Sequence, residues 1–378
     1  MGRRHNVEEA SVGIVQLPPL NAMRIYALWR VSAVAMLVIG CSNPEKNEVT
    51  PAEMPLENGP SAMVSVPAGD FWMGANEDSL ALAREYPRHR VHVDAFLMDV
   101  HEVTNAAFGE FVAATGYQTV AERPLNWDEF KQQLPPGTPR PSEEYFLPGS
   151  MVFTANPTIF NYIDYSQWWS WVLGADWRHP FGPDSDLEGL QDHPVVHVAY
   201  EDAVAYANWL GKRLPTEAEW EWAARGGLFD SPLPWGIEGI EKGEPHCNTW
   251  NGTFPTSNTG WDGFVGTAPV GSYEPNGYGI HDVAGNVWEI CSDWYDESHY
   301  SSYSVDSVTQ NPRGPETWRY PPEPHDPKRV MRGGSFLCNR SYCASYRVSA
   351  RMPFSASTSM SHIGFRCVKD LEKEEQVR

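Results

Sequence analysis

The sequence predicts a single α+β domain with little regular secondary structure. Gly and Pro contribute 31 and 32 of the 378 residues, and turn-forming residues at this density shorten helices and strands. The chain also holds 16 Trp, so we expect irregular backbone held in place by aromatic packing. Helical periodicity ends near residue 227, and only short apolar runs follow it. These observations exclude long-helix, coiled-coil and disordered classes.

The N-terminal segment has the pattern of an export signal. Arg24 and Arg30 precede an apolar run that ends at Cys41, too short to cross a bilayer but typical of a secretory signal. The run resembles the bacterial lipobox, whose cysteine is lipidated and becomes the first mature residue. The alternative is an ordinary signal peptide with a chance cysteine. We predict a signal peptide over 1–41, with Met23 as the natural start, and a protein lipid-anchored at the periplasmic face of a bacterial membrane.

The predicted domain organisation follows from composition. Residues 42–60 hold four Pro and four Glu with few apolar residues, which is typical of a solvated tether. Residues 61–372 contain no low-complexity break and no internal repeat, so they form one domain, and 373–378 are a short tail. The formal net charge of −21 excludes nucleic acid as a partner, because phosphate binding needs a basic surface.

Local residue patterns predict the positions of several strands and helices. Alternating apolar residues predict short strands at 64–66 and 91–93. Residues 104–115 place their apolar side chains on one helical face, with Thr104 as N-cap and Gly116 as the C-terminal stop.

Two further helices are predicted before periodicity ends. Residues 201–210 form one of them. Thr216 and Glu219 form a capping box that opens the other, which runs through Ala224 and stops at the glycines that follow.

The number of cysteines leaves their pairing open. With Cys41 assigned to the lipobox, five remain: Cys247, Cys291, Cys338, Cys343 and Cys367. Because five is odd, at least one thiol is free or is paired outside the domain in an oxidising compartment.

Cys338 and Cys343 are separated by four residues. This spacing puts the two thiols on opposite faces of a strand and about 140° apart on a helix. They meet only if the backbone is irregular, and the glycines at 333–334 allow that. We expect Arg332 and Arg340 to favour thiolates. Spacing alone favours a structural disulfide. A soft-metal site for Cu(I) or Zn(II) is the alternative, and zinc is disfavoured because no nearby His or second cysteine pair completes four ligands.

Several runs, taken in order, resemble the formylglycine-generating enzymes, also called sulfatase-modifying factors. The runs are GDFWMG at 69–74, DAF at 94–96, EVTN at 102–105, DWRHP at 176–180, DHPVVHV at 192–198, GKRLPTEAEW at 211–220, NGYG at 276–279, GNVWE at 285–289, RGGS at 332–335 and GFRC at 364–367. The resemblance implies a C-type-lectin-like fold with little regular structure. It also implies oxidation of a cysteine in a Cys-x-Pro/Ala-x-Arg segment of an unfolded sulfatase to Cα-formylglycine, using O2 and a thiol reductant.

The resemblance assigns roles by matching position. Cys338 and Cys343 would bind Cu(I), while Ser335, Tyr342 and Trp288 would line the pocket for substrate and oxygen. Two Ca²⁺ sites are also implied, with mixed side-chain and main-chain oxygens as a hard cation requires. The matching residues are Asn248, Thr249, Asp262 and Phe264 for the first site, and Asp282, Gly285, Val287 and Glu289 for the second.

Departures from the family pattern concern structural disulfides. The helix positions that would hold partners carry Ala207 and Ala223 or Ala224, so Cys367 is expected to be a buried free thiol. Cys247 and Cys291 lie beside the implied Ca²⁺ segments and are candidates for pairing with each other.

Other interpretations remain open at this stage. A non-catalytic envelope lipoprotein of the same superfamily, acting as a scaffold or binding module, is the main alternative, and we expect such a protein to lack the cysteine pair. An iron-dependent relative is less favoured because no His-based facial triad is visible. Trp168, Trp169 and Trp171 form either an exposed rim of a peptide groove or part of the core.

Overall fold

The computed structural model describes residues 62–134, 136–159 and 161–371. The predicted signal peptide, lipobox cysteine and tether therefore lie outside the described residues, as does the predicted tail. Among the residues that are described, no helix combines the length and the apolar character needed to cross a membrane.

The helices confirm the predictions made from capping patterns. The α-helices of the described part are α1 (Asn105–Thr115), α2 (Trp127–Phe130), α3 (Tyr200–Trp209) and α4 (Glu217–Arg225). Thr104 caps α1 by accepting a hydrogen bond from the Ala107 amide, and Gly116 ends it in the left-handed conformation. Thr216 and Glu219 form the predicted capping box of α4. Within the described residues, no α-helix follows residue 225, as predicted.

Short 3₁₀ segments occupy several connections. They are Ala83–Glu85, Val120–Glu122, Lys131–Gln133, Glu143–Phe146, Tyr165–Gln167 and His299–Ser302.

The strands are short and distributed over the whole described part. They are β1 (Met63–Val66), β2 (Gly69–Met73), β3 (His89–Val93), β4 (Phe96–Asp99), β5 (Gly149–Phe153), β6 (Trp169–Leu173), β7 (Gly252–Thr253), β8 (Ser257–Asn258), β9 (Trp288–Trp294), β10 (Val308–Gln310), β11 (Lys328–Arg332), β12 (Arg351–Ser355), β13 (Ile363–Gly364) and β14 (Val368–Asp370). Both predicted strands are confirmed within β1 and β3.

The strands form several small sheets rather than one large one. The largest has the order β12-β11-β9-β13, in which β11 pairs antiparallel with β9 and β12, while β13 runs parallel to β9. Two three-stranded sheets have the orders β1-β4-β14 and β10-β3-β2, and β5-β6 and β7-β8 are antiparallel pairs. The predicted α+β architecture with sparse regular structure is confirmed.

The apolar core is divided into three clusters. The first packs α1 and α3 against β9 and the C-terminal segment, and it includes both Trp288 and Cys338. The second lies between α4 and strands β2, β3 and β4. The third, which we call the aromatic cluster, consists of Trp168, Trp250, Phe254, Phe336 and Leu337.

A buried ionic network fastens β11 and β12 to α4. Arg332, the last residue of β11, donates to the carboxylates of Glu217 and Glu221. Arg351 binds Glu217 through two donors at 2.6 and 2.9 Å. Charges this deeply buried remain ionised only when they are paired and hydrogen-bonded, so the network fixes the direction in which the chain leaves β11.

Candidate active site

The segment after β11, residues 333–343, forms what we call the cysteine loop. It begins with Gly333 and Gly334, whose φ angles of 88° and 74° lie in the left-handed region. A Cβ atom on Gly334 would come within 2.9 Å of the Ser345 and Tyr346 backbone and 3.0 Å of Cys338 Sγ. Glycine is therefore required here both for its conformation and for the close approach of the sulfur.

The loop brings the two predicted cysteines together. Cys338 Sγ and Cys343 Sγ are 2.9 Å apart, and both thiols are free. A tight turn makes the contact possible, because the Cys343 amide donates to the Asn339 carbonyl at 2.8 Å and the Asn339 amide to the Cys343 carbonyl at 3.0 Å. The prediction of irregular backbone is confirmed, while the disulfide favoured by spacing alone is not present.

The two thiols differ in their protonation. The hydrogen bond from the Cys338 thiol, opposed by burial, lowers the pKa of Cys343 to about 7. Burial and that same contact raise the pKa of Cys338 well above its usual value. At neutral pH, Cys343 is therefore partly ionised to the thiolate, while Cys338 stays a thiol and donates its hydrogen bond to Cys343.

The expectation for Arg332 is wrong. Its guanidinium binds Glu217 and Glu221 on α4 rather than the cysteines. Because those two carboxylates already compensate its charge, Arg332 orients the start of the loop. Arg347, which sequence reasoning did not single out, is the arginine that contributes to lowering the pKa of Cys343.

The residues expected to line the pocket differ in their relation to the pair. Ser335 is fully buried, and its amide donates to Cys338 Sγ at 3.4 Å. Trp288 is buried in the core cluster that contains Cys338. Tyr342, which directly precedes Cys343, is partly accessible to solvent, with 44% of its surface exposed.

Tyr342 extends the aromatic cluster to the surface beside Cys343. Its ring stacks on Phe254 at a centroid distance of 4.3 Å and meets Trp168 edge-on at 6.1 Å. The ring of Tyr162, which is half exposed, lies 6.4 Å from the Tyr342 ring, measured between the centroids. Of the three tryptophans considered for a rim, Trp168 belongs to the core, whereas Trp169 and Trp171 are only partly buried.

The other three cysteines form no disulfide with one another. Cys247, Cys291 and Cys367 are buried and free, and burial raises the pKa of each thiol. The suggested pairing of Cys247 with Cys291 is wrong, because the two thiols lie in different core clusters. The expectation that Cys367 is a buried free thiol is confirmed.

The first residue set implied for Ca²⁺ is held by its own hydrogen bonds. The Asp262 carboxylate accepts from the Thr249 amide at 2.8 Å and from the Phe264 amide at 3.2 Å. The Asn248 amide group donates to the Gly266 carbonyl and to Asn286. In this set, all of which is described, no buried side-chain oxygen lacks a partner.

The second set adjoins a group with unsatisfied acceptors. Asp282 Oδ2 accepts from the Gly271 amide, but its Oδ1 is buried without a hydrogen-bond partner, as is Glu102 Oε2. Burial and the neighbouring Asp282 raise the pKa of Glu102 well above its usual value. We call Glu102, Asp282 and Asn286 the carboxylate pocket, since Asn286 donates to the other oxygen of Glu102.

The remaining members of the second set have other positions. Both oxygens of the fully buried Glu289 are engaged by Arg366, at 2.6 and 2.8 Å, and one also accepts from Trp220. Gly285 packs directly on the Asn248 carbonyl, where a Cβ would lie 2.1 Å away, and Val287 is buried. The described residues contain no group of three or more His, Cys, Asp or Glu side chains arranged to hold a metal ion. A cation in the carboxylate pocket would therefore need main-chain or amide oxygens as well.

Glu102 was missed as a candidate ligand. It precedes α1, whereas Asp282 follows 180 residues later in a Gly-rich loop, and only the folded chain brings their charges together. The signal that could have found it is its place in the EVTN run at 102–105, whose glutamate is completely buried.

Comparison with known proteins identifies the family. Residues 49–371 match the family of sulfatase-modifying factor enzyme 1-like domains. The chain belongs to this family. Its sequence is 46% identical to the formylglycine-generating enzyme of Thermomonospora curvata over 310 residues, which covers 82% of this chain and 93% of that protein. It is also 46% identical to the formylglycine-generating enzyme of Mycobacterium tuberculosis over 308 residues, covering 82% and 97%.

One solved structure is similar to this chain in its fold only. PvdO from Pseudomonas aeruginosa aligns with a TM-score of 0.54 and 23% sequence identity, over 85% of this chain and all of that one. The two chains therefore share a fold at low sequence identity.

Proposed function

We propose that the chain is a formylglycine-generating oxidase, which converts a cysteine in the Cys-x-Pro/Ala-x-Arg segment of a sulfatase to Cα-formylglycine with O2 and copper. The observation that carries the proposal is the pair of free thiols 2.9 Å apart in the cysteine loop. It is supported by the 46% identity to formylglycine-generating enzymes over most of the chain.

The donor set of the loop fits a cuprous ion. Two adjacent sulfurs, one with a pKa of about 7, are soft ligands that select Cu(I) over hard cations. Zinc fits less well, because no third His, Cys, Asp or Glu side chain joins the pair within the described residues. Cys338 and Cys343 would hold the copper, which would supply the one-electron chemistry that O2 needs to react with a thiol.

The chain's own residues would position the substrate beside that ion. The Ser335 amide holds Cys338 Sγ in place, and Trp288 belongs to the core cluster that contains Cys338. On the solvent side, Tyr342 and Tyr162 offer an exposed aromatic surface next to Cys343. An extended peptide with a proline two residues after its cysteine would pack its ring on this surface and exclude water from the thiol.

The negative net charge of the chain supports a substrate peptide that carries an arginine. The formal net charge of −21 attracts a cationic peptide over long range, and this attraction is screened by salt. Turnover of a Cys-x-Pro-x-Arg peptide is therefore expected to slow as ionic strength rises, through a higher KM.

The carboxylate pocket supports a Ca²⁺ ion in a structural role. Unpartnered oxygens on Glu102 and Asp282 are the ligands that a hard cation prefers, and a cation there would relieve the repulsion between the two carboxylates. The first implied set, with its carboxylate already satisfied by backbone amides, offers weaker support for a second ion.

Export with a lipid anchor at Cys41 completes the proposal. The N-terminal signal pattern supports it. The substrate would then meet the enzyme during or after translocation, before it folds, in a compartment where oxygen and copper are available.

A peptide assay tests the proposal. The full chain is incubated with Cu(I), a thiol reductant and a Cys-x-Pro-x-Arg peptide, and product is detected by mass spectrometry as thiol replaced by aldehyde and by hydrazide capture. Wild type and Cys367→Ala are expected to form product, whereas Cys338→Ser and Cys343→Ser are expected to form none. Absence of product from copper-loaded wild type would favour the non-catalytic scaffold instead.

A further inference from the structure

Arg347 connects the residue after the cysteine pair to a distant part of the chain. Its Nε donates to the Ala344 carbonyl at 2.9 Å. Its two terminal nitrogens each donate to one oxygen of Glu85 at 2.7 Å. Both side chains are almost completely buried, with 4% and 1% of their surface exposed. A paired guanidinium and carboxylate in this geometry fix orientation as well as distance.

Glu85 is itself held rigidly. One of its oxygens accepts from the Leu82 amide at 2.9 Å and the other from Ser349 at 2.8 Å. Its carbonyl accepts from the Ala75 amide at 3.0 Å. The 3₁₀ segment that carries Glu85 is thus fixed to the strands around it and forms a firm anchor for Arg347.

The two cysteines are anchored by different parts of the molecule. The Cys338 carbonyl accepts from the Trp250 amide at 2.9 Å, and its sulfur accepts from Ser335. Cys343 lies at the far end of the turn, and the chain that follows it is held at Ala344 by Arg347. The separation of the sulfurs therefore depends on the turn at Asn339 and on the relative placement of these two anchors.

We propose that Arg347, held by Glu85, is a positioning residue that keeps Cys343 Sγ within reach of Cys338 Sγ. Its action is exerted through the backbone of Ala344 and requires the forked geometry of the guanidinium. The inference concerns the sulfur pair itself and rests on the proposed function only for its consequence in catalysis.

The equilibrium constant for forming the Cys338–Cys343 disulfide, which we call closure of the pair, measures this positioning in the absence of copper and substrate. The metal-free full chain is equilibrated with oxidised and reduced dithiothreitol, and the Cys338–Cys343 disulfide is quantified by mass spectrometry of its peptides. Arg347→Lys keeps the charge but loses the fork and the bond to Ala344. We expect the equilibrium constant for closure to fall about tenfold, the lower end of what loss of a supporting contact costs at a site.

Arg213 provides a matched control. It also forms a two-point pair with a glutamate, Glu219, with both contacts at 2.7 Å, but it lies away from the cysteine loop and links α4 to Asp370 on the C-terminal strand. Arg213→Lys is expected to change closure less than about twofold. Glu85→Gln should lower closure in the same direction as Arg347→Lys, and the two substitutions combined should be less than additive because they break one contact.

The outcomes separate this inference from the proposed function. Unchanged closure in a folded Arg347→Lys variant, or an equal loss in Arg213→Lys, would overturn the positioning role whatever the activity. Reduced closure together with a matching loss of Cu(I) affinity, measured by competition with a colorimetric chelator, supports it. If closure falls while wild type forms no aldehyde, the positioning role stands and the proposed function fails.

Discussion

The cysteine loop and the carboxylate pocket are both buried polar groups in a fold with little regular structure, yet they are satisfied differently. In the loop, the reactive atoms are each other's partners, and Tyr342 opens one side to solvent. In the pocket, Glu102 and Asp282 each keep one oxygen without a partner, and both residues are buried. The polar atoms of the loop are thus paired within the protein, whereas the pocket keeps two buried carboxylate oxygens without a protein partner.

The largest expected effect comes from filling the space beside Cys338. In Gly334→Ala the new Cβ would lie 2.9 Å from the Ser345 and Tyr346 backbone and 3.0 Å from Cys338 Sγ, so the sulfur or the backbone after the pair must move. Because misplacing a reacting atom by about 1 Å costs about 100-fold, we expect turnover to fall by about 10- to 100-fold. Gly189→Ala is the control, because Gly189 has a similar φ of 77° but no atom within 4 Å. Steady-state assays of both variants on the peptide check this. Equal losses would mean that backbone strain, and not sulfur displacement, is responsible.

Thiol reactivity should separate the loop from the rest of the molecule. The pKa of Cys343 is about 7, so its thiolate fraction rises with pH through neutrality, and alkylation by iodoacetamide should reach half its maximal rate near pH 7. Cys291 and Cys367 are buried with raised pKa values and should stay unmodified in the native protein. Peptide mapping after short labelling checks this. Labelling of Cys367 at a rate similar to Cys343 would contradict the difference in accessibility.

A substitution in the pocket should have opposite effects with and without Ca²⁺. The raised pKa of Glu102 means that its folded carboxyl binds a proton more readily than the unfolded one, so metal-free stability is lost as pH rises above the ordinary glutamate range. Glu102→Gln removes that charge and keeps the acceptor for Asn286. It should therefore raise the free energy of unfolding of the metal-free protein at pH 7, while abolishing a stabilisation by Ca²⁺ of about 2 kcal/mol.

Thermal unfolding in the presence of Ca²⁺ or of a chelator, at pH 5 and pH 7, tests whether Glu102→Gln stabilises the metal-free protein and removes the stabilisation by Ca²⁺. Glu122→Gln is a suitable control, because Glu122 belongs to a separate 3₁₀ segment and is bound to Arg178 and Thr119. A Ca²⁺ effect that persists in Glu102→Gln would place the ion elsewhere.

The smallest expected effect is at the isolated thiols. Cys367→Ala removes one buried sulfur from the first core cluster and should lower the free energy of unfolding by about 1 kcal/mol, with turnover unchanged. Denaturant unfolding and the peptide assay measure the two quantities. A large loss of turnover would give Cys367 a part in the chemistry that its burial and raised pKa argue against.

Local patterns predicted the parts of the fold that depend on local interactions. The caps at Thr104 and Thr216 located α1 and α4 because each side chain bonds to its own helix. The cysteine spacing and its glycines likewise predicted an irregular loop, since the requirement is one of short-range chain geometry. The resemblance also singled out, among five thiols, the two that lie in contact.

Long-range partners could not be predicted in the same way. Arg332 was expected near the thiols, but the carboxylates that it binds come from α4, more than 100 residues earlier. Arg347 and Glu85 are 262 residues apart, and neither carries a local pattern that indicates the other. Which of several arginines meets a given acid is decided only when the small sheets have packed together.

The free state of all five cysteines in the described residues has a practical consequence. Ion pairs, aromatic packing and backbone hydrogen bonds hold this scaffold together without a covalent crosslink. Millimolar thiol, which would dismantle many exported proteins, leaves every such contact intact. Under the proposed function, an oxidase that takes electrons from a thiol would therefore keep its fold in the presence of that thiol.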